Sequence, residues 1–229
     1  MLILTAEEGR VRYLHYGVFE TGSESLAEAQ ERSTELLLAR LPPPPARVLD
    51  VGIGLGTTLS LLLARGYEAT GISPDQHQIA MAARLPVQHA AFETFQSVSS
   101  FDVIVFQESS QYIDSEALFT RAAMLAPRVV VLDEFALRPL ETPGLHSRDA
   151  FVAAANRHGF TVVEEVDLSA KAAPTMNYFT DRIPAFRSRL IAELGLTDPQ
   201  VDDLVSSGAT YRQRYVDGTY GYRLFVLER

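Results

Sequence analysis

Between Asp50 and Thr58 glycine returns at every second position, Asp50-Val51-Gly52-Ile53-Gly54-Leu55-Gly56-Thr57-Thr58, directly after the apolar pair Val48-Leu49. Lacking a Cβ, Gly52, Gly54 and Gly56 let the chain turn sharply from strand to helix and let a ligand lie against bare peptide planes. A nucleoside with a charged tail suits so close an approach. The dinucleotide fingerprint needs a further glycine where Thr57 stands, which disfavours a nicotinamide-dependent oxidoreductase.

The elements that must position this turn follow from periodicity. Ser25-x-x-Glu28 is a capping box, and Leu26, Ala29, Ser33, Leu36, Leu37 and Leu41 continue it at helical spacing. The prolines 42–45 end that helix, and a strand at 47–51 starts afresh. The spacing then predicts a helix over 57–65, a strand over 68–72, a helix over 74–84 and a short strand over 87–90. Phe101-Asp102-Val103-Ile104-Val105-Phe106 and Arg128-Val129-Val130-Val131-Leu132 read as strands buried on both faces, with a crossover helix over 117–125 between them. A helix over 148–158 and strands over 160–166 and 222–227 complete the alternation. Strand and helix in turn predict an α/β, doubly wound, mostly parallel sheet with right-handed crossovers and ligands at its carboxyl edge. The stretch 171–220 is too long for a structureless connection. Ile183, Phe186, Leu190 and Leu194, stopped by Gly195, predict one helix there, and Thr197-Asp198-Pro199-Gln200 caps a second.

With 229 residues, 47% of them hydrophobic, the chain suits one domain with a substantial core. A formal net charge of -9 argues against a nucleic-acid partner, which usually needs a basic footprint. The absence of cysteine removes disulfides, thiolate metal sites and cysteine nucleophiles, and Lys171 as the lone lysine makes lysine chemistry improbable. Met1-Leu2-Ile3-Leu4 runs at once into Glu7-Glu8, so the expectation is a cytoplasmic protein with no leader and no membrane partner.

Asp50-x-Gly52-x-Gly54-x-Gly56 resembles the first motif of class I S-adenosylmethionine-dependent methyltransferases, and the resemblance extends to segments typical of a small-molecule branch with tocopherol, sarcosine and cyclopropane-forming enzymes. It implies the Rossmann-like, seven-stranded fold of that family, with 1–45 as a helical lid, 46–170 as the cofactor-binding core, 171–220 as a helical insertion forming an acceptor-site wall and 221–229 as the last strand. It also implies S-adenosyl-L-methionine as cofactor, with Asp50, Gly52, Gly54, Gly56 and Thr57 at its methionine part. The usual ribose-holding acid after the second strand is missing. Ser73-Pro74-Asp75-Gln76 stands there, and Ser73 and Gln76 have two readings, ribose contacts or helix capping. Ile72 and Phe92, with the neighbouring Glu93, fall where the family contacts adenine.

On the acceptor side, Gln107-Glu108-Ser109-Ser110-Gln111-Tyr112-Ile113 is similar to the branch's Glu-Ser-x-x-His-Ile, with Tyr112 in place of its histidine. A phenol with a pKa of about 10 is no base at neutral pH without strong perturbation. By resemblance Gln107 joins the cofactor site, while Glu108, Gln111 and Tyr112 orient the acceptor; strand-end capping and packing is the competing account. His15-Tyr16-Gly17 is similar to the branch's His-x-Gly-aromatic segment that closes over the cofactor. Tyr16 then lies near the cofactor, and His15 is the candidate for the base that Tyr112 leaves unfilled, against a purely structural role. Tyr178 and Tyr211 belong to an aromatic-rich insertion whose rings either line an acceptor pocket or pack as core. The family chemistry needs no metal, and O, N or C acceptors all remain open. A non-catalytic cofactor-binding subunit supporting a partner enzyme is the alternative, motivated by the missing ribose acid and histidine. The oligomeric state is not legible.

Overall fold

The computed structural model describes residues 3, 9, 11–140 and 144–229. The run 1–8, read above for a leader, lies outside them apart from Ile3. In chain order the elements are α1 (Leu26–Leu38), β1 (Arg47–Val51), α2 (Thr57–Ala64), β2 (Glu68–Ser73), α3 (Gln76–Met81), β3 (Val87–His89) and β4 (Val103–Gln107). Then follow α4 (Ser115–Leu125), β5 (Arg128–Ala136), α5 (Arg148–Arg157), β6 (Thr161–Asp167), α6 (Ser169–Ala172), α7 (Pro174–Arg182), α8 (Arg187–Leu194), α9 (Asp198–Val216) and β7 (Tyr220–Glu228). The seven strands form one sheet in the order β3-β2-β1-β4-β5-β7-β6. Six run in one direction, and β7 enters antiparallel between β5 and β6.

Strand alternation explains the layers. In β4, Ile104 and Phe106 face a phenylalanine-rich layer with Phe92, Phe119 and Phe151, while Val103 and Val105 face the opposite layer with Leu37, Leu59 and Leu62. Each buried ring or branched chain contributes about 1.5–3 kcal/mol, so register is strongly specified on both faces. The register sets Asp50 beside Gly71 on one side and beside Val105 on the other. A Cβ on Gly71 would fall 2.5 Å from Ile53 Cγ2, so this glycine lets β2 lie against the turn after β1.

The box predicted at Ser25 is present in both directions: Glu28 N–H donates to Ser25 Oγ at 3.3 Å and Ser25 N–H to Glu28 Oε2 at 2.9 Å. Such a cap holds about 1 kcal/mol. α1 is not itself a lid, because Leu37 and Leu38 are core residues of the sheet layer. The strap before it packs on both α1 and the later helices. There Val18 N–H donates to Ala29 O at 2.8 Å and Phe19 N–H to Lys171 O at 2.9 Å, tying the strap to α1 and to the insertion.

The helix expected from Ile183 is broken. Pro184, which has no N–H, opens a 3-10 turn over Pro184–Phe186, and α8 starts only at Arg187. It ends at Gly195 with φ +68°, as the sequence suggests. α9 carries the expected Thr197–Gln200 box. α6 and α7 were not legible because their apolar positions are few and irregular.

Candidate active site

The three glycines do different things. All have positive φ, +77° at Gly52, +52° at Gly54 and +76° at Gly56. A Cβ on Gly52 would lie 2.4 Å from Ser109 Cβ, so its bareness makes room for Ser109, whose Oγ donates to Val51 O at 2.6 Å. A Cβ on Gly56 would lie 2.9 Å from Leu85 Cδ1, and this buried residue is off the cavity wall; its expected ligand contact is corrected to packing. Only Gly54 opens onto space, with Leu14 Cδ1 at 3.9 Å as the nearest atom to a built Cβ.

A cavity of about 200 Å³ lies against this turn. Its walls are the strap at 12–15, Asp50 and the glycine turn, Thr57 and Thr58 of α2, Gln78 of α3, Gln107 at the end of β4, and Glu108 and Tyr112 after it. A relay braces the side under the strap. Thr58 Oγ1 donates to Gln107 Oε1 at 2.9 Å, Gln107 Nε2 donates to Thr34 Oγ1 at 3.1 Å, and Thr34 Oγ1 lies 3.1 Å from His15 Nε2. His15 Nδ1 lies 2.9 Å from Tyr16 O, an acceptor only, so Nδ1 carries the proton and Nε2 accepts from Thr34. With both nitrogens engaged and burial holding its pKa down at about 4, His15 is not a free base. The base role is corrected to bracing.

Asp50 is 2% exposed, and its Oδ2 has no hydrogen-bond partner among the described residues. Desolvation pushes the carboxyl up to about 7. An orphaned oxygen on a cavity wall fits a ligand that brings a donor or a cation. Together with the open peptide at Gly54, it fits the amino-acid end of S-adenosylmethionine.

The ribose and adenine expectations fare differently. Ser73 is buried; its Oγ donates to Gln78 Oε1 at 2.9 Å and accepts Asp75 N–H at 3.1 Å. The cap of α3 is Asp75, which accepts from His77 N–H at 2.7 Å. The helix therefore starts two residues later than read, Gln76 is exposed and off the cavity, and Gln78, missed from sequence, lines it. Ile72 and Phe92, at 0% and 2% exposure, belong to the core, where Phe92 meets Phe106 edge to face at 5.1 Å. Glu93 is exposed, and its carbonyl accepts from Arg121 Nε at 3.1 Å. None of these three lines the cavity.

Glu108 dominates the far wall. It is the one non-glycine residue with positive φ, +53°, among those described, a strained conformation that clusters at functional sites. Its Oε1 accepts Tyr16 N–H at 2.5 Å and Tyr222 Oη–H at 2.7 Å, while Oε2 takes no hydrogen bond from the described residues. Burial and the Glu134 charge push this carboxyl well above the usual range. Behind it, Tyr16 stacks on Tyr222 at 5.7 Å and donates to Met176 Sδ at 2.7 Å. Tyr211 and Tyr215 donate to Glu134 at 3.0 and 2.6 Å. Tyr16 and Tyr211 thus stand behind the wall rather than on it. Gln111 likewise is off the cavity, its N–H donating to Asp133 Oδ2 at 3.3 Å. Tyr112 is 80% exposed at the mouth. Tyr178 packs with Phe179 against the small cluster of Phe19, Leu26 and Ala29, with the Arg182 guanidinium 3.7 Å over its ring. No residue of 171–220 lines this cavity, so the insertion supports the wall from behind.

A parallel sheet with an antiparallel seventh strand, a glycine turn after β1 and a cavity between the β1 and β4 loops define a class I methyltransferase architecture. The family model described as "Methyltransferase domain" matches residues 25–165. The chain belongs to that methyltransferase family, and its cofactor is S-adenosylmethionine. Among solved structures, the 4+2 cyclase SpnF superposes with a TM-score of 0.82 at 20% identity, covering 100% of this chain and 91% of that one. The cyclopropane synthase MmaA2 from Mycobacterium tuberculosis gives 0.82 at 19%, covering 95% and 90%. A putative sarcosine dimethylglycine methyltransferase from Galdieria sulphuraria gives 0.81 at 14%, covering 99% and 96%. At these identities the likeness establishes the fold. No curated protein sequence matches the chain. No helix among the described residues is long and apolar enough to cross a membrane.

Proposed function

We propose that this methyltransferase modifies a small molecule in the cytoplasm, with Asp50, Gly54, Thr57, Thr58 and Gln107 holding the cofactor and Glu108 facing the acceptor. One observation carries the reading: the orphaned Asp50 oxygen, the open Gly54 peptide and the Glu108 carboxyl lie on a single cavity. The net charge of -9 supports a small acceptor over a nucleic acid. The neighbours named for sarcosine dimethylglycine and for cyclopropane synthesis support the same class.

When bound, the cofactor supplies a methyl group made electrophilic by a cationic sulfur. The chain's own part is to place the acceptor in line and keep water out. Oε1 is fixed by Tyr16 and Tyr222, which leaves Oε2 to meet an acceptor N–H or O–H once the carboxyl is ionised. Its raised proton affinity makes it a better base than an ordinary carboxylate once ionised. Tyr112, at the mouth, is the residue an incoming acceptor passes.

Incubation with methyl-labelled S-adenosylmethionine and fractionated low-molecular-weight metabolites tests this, with label expected in a small product. A second reading, a cofactor-binding protein that transfers no methyl group itself, is favoured by the likeness to a structure named as a cyclase and by the engaged imidazole of His15. Binding of cofactor with no labelled product until a partner protein is added would select it.

A further inference from the structure

Glu134, near the carboxyl end of β5, is a buried acid that the reading above leaves without a part. In the β5–β7 register it stands directly opposite Tyr222, which sets the two side chains beside each other on one face of the sheet. The Tyr222 hydroxyl reaches on to Glu108 Oε1 at 2.7 Å. The return path runs through the rings. Tyr215 donates to Glu134 Oε1 at 2.6 Å, its ring centre lies 6.3 Å from that of Tyr16, and the Tyr16 N–H is on the same Glu108 oxygen. Two acids and three tyrosines thus close one circuit.

The charges on the elements around this circuit are committed elsewhere. On α9, Arg212 pairs with Asp181 at 2.8 Å and Arg214 donates to the Tyr220 hydroxyl; on β7, Arg223 pairs with Asp167 at 2.8 Å. His15 and His146 face the Tyr16 and Ser110 carbonyls at 2.9 and 3.0 Å. Asp133, next to Glu134, adds a third acid, held by the Ser110 hydroxyl at 2.6 Å and by the N–H groups of Ser110 and Gln111. Like charges so far from water do not ionise together, so Glu108 and Glu134 divide a proton between them. The free oxygen decides which of the two keeps it. Glu134 accepts a phenol on each oxygen, Tyr215 on Oε1 and Tyr211 on Oε2 at 3.0 Å, which favours its anion. Glu108 has both its donors on Oε1, and Oε2 has room for the proton. Desolvation lifts both carboxyls, Glu134 to about 7, and the Glu134 charge adds to the rise at Glu108.

We propose that Glu134 is a positioning residue for Glu108: its anion, fixed by Tyr211 and Tyr215, keeps the proton of the pair on Glu108 Oε2. The proposal rests on the reading of Glu108 as the acceptor-facing residue and adds the group that controls it. Glu108 then meets an incoming acceptor as a hydrogen-bond donor and becomes a base only after that proton has left.

The test is a pH titration of the full chain by carbon-13 NMR of glutamate side-chain carboxyls, with the two signals assigned by their loss in Glu108→Gln and Glu134→Gln. Glu134 is expected to titrate first, near pH 7, and Glu108 later. In Glu134→Gln the proton affinity of Glu108 falls by about tenfold or more, while Glu134→Asp, which keeps the charge, holds it within about threefold. Tyr215→Phe, which removes a donor and no charge, raises the proton affinity of Glu134. A purely structural prop would move none of these midpoints. An unmoved Glu108 midpoint in folded Glu134→Gln, or Glu134 titrating as the later of the two in wild type, overturns the proposal. Should Glu134→Gln fail to fold, an unmoved Glu134 midpoint in Tyr215→Phe overturns it. Undiminished label transfer by Glu108→Gln would remove Glu108 from the chemistry without altering the wild-type titrations, so the two readings fail separately.

Discussion

The Tyr222 hydroxyl donates to Glu108 Oε1 at 2.7 Å, so the middle strand of the antiparallel pairing, β7, fixes the residue that leaves β4. Tyr16 N–H meets the same oxygen from the strap, and three distant stretches of chain close one wall. The bond orients Glu108 without touching the cofactor side. Tyr222→Phe is expected to lower kcat by about tenfold, to leave S-adenosylhomocysteine affinity within about twofold, and to cost about 1–2 kcal/mol in stability. Steady-state kinetics beside calorimetry and chemical denaturation check all three.

Glu108→Gln keeps one acceptor oxygen for Tyr16 and Tyr222 but cannot take a proton. Turnover should fall by about 100-fold or more with cofactor binding retained. A variant with wild-type kcat would remove Glu108 from the chemistry and leave it a structural residue.

His15 gives a stability signature with a definite sign. Its pKa is about 4 in the fold against 6.5 when free, so the unfolded chain binds the proton more tightly between those values. The contribution is present above pH 6.5 and is lost as pH falls towards 4, a swing of about 3 kcal/mol. The stability gap between wild type and His15→Gln should therefore narrow on going from pH 7.5 to 4.5, measured by urea denaturation at each pH. A gap independent of pH would contradict the engaged, neutral imidazole.

Asp50 runs the other way. Its carboxyl is raised to about 7, so its contribution to the ligand-free fold is greatest below the free value of 3.8 and is lost as pH rises through 7. Removing the charge should help the empty protein: Asp50→Asn is expected to gain up to about 4 kcal/mol at pH 8 while losing S-adenosylhomocysteine binding. Wild type should also release protons on binding ligand near pH 7, seen as a binding heat that varies with the ionisation heat of the buffer.

The glycines separate by neighbour. Gly56→Ala forces a Cβ to 2.9 Å from Leu85 Cδ1 and 3.1 Å from Ala82 Cβ at φ +76°, so thermal stability falls by about 1–3 kcal/mol. Any loss of ligand affinity should track that unfolding rather than precede it.

The fold was legible because its signals are local and redundant. The apolar strand expected over 101–106 appears as Val103–Gln107, and the two capping boxes at Ser25 and Thr197 and the stop at Gly195 reappear where the pattern put them. The glycine turn was legible too, yet which glycine opens to ligand was not. That depends on Ser109 and Leu85, residues far away in sequence whose side chains fill the space beside Gly52 and Gly56. Gln78 was missed because Asp75 outcompetes Ser73 as the cap and turns a different side chain inward. The aromatic positions in the insertion were correctly seen as aromatic, but only tertiary packing assigns Tyr211 to Glu134 and Tyr178 to the strap side of α1.

Gly54 tests the account most directly, since of the three glycines it alone has open space where a side chain would stand. Calorimetric titration of wild type and Gly54→Val with S-adenosylhomocysteine, each shown by thermal melting to be folded, should give saturable one-to-one binding for wild type and none for the variant. A folded Gly54→Val that binds with wild-type affinity would contradict the assignment of the cofactor to this cleft.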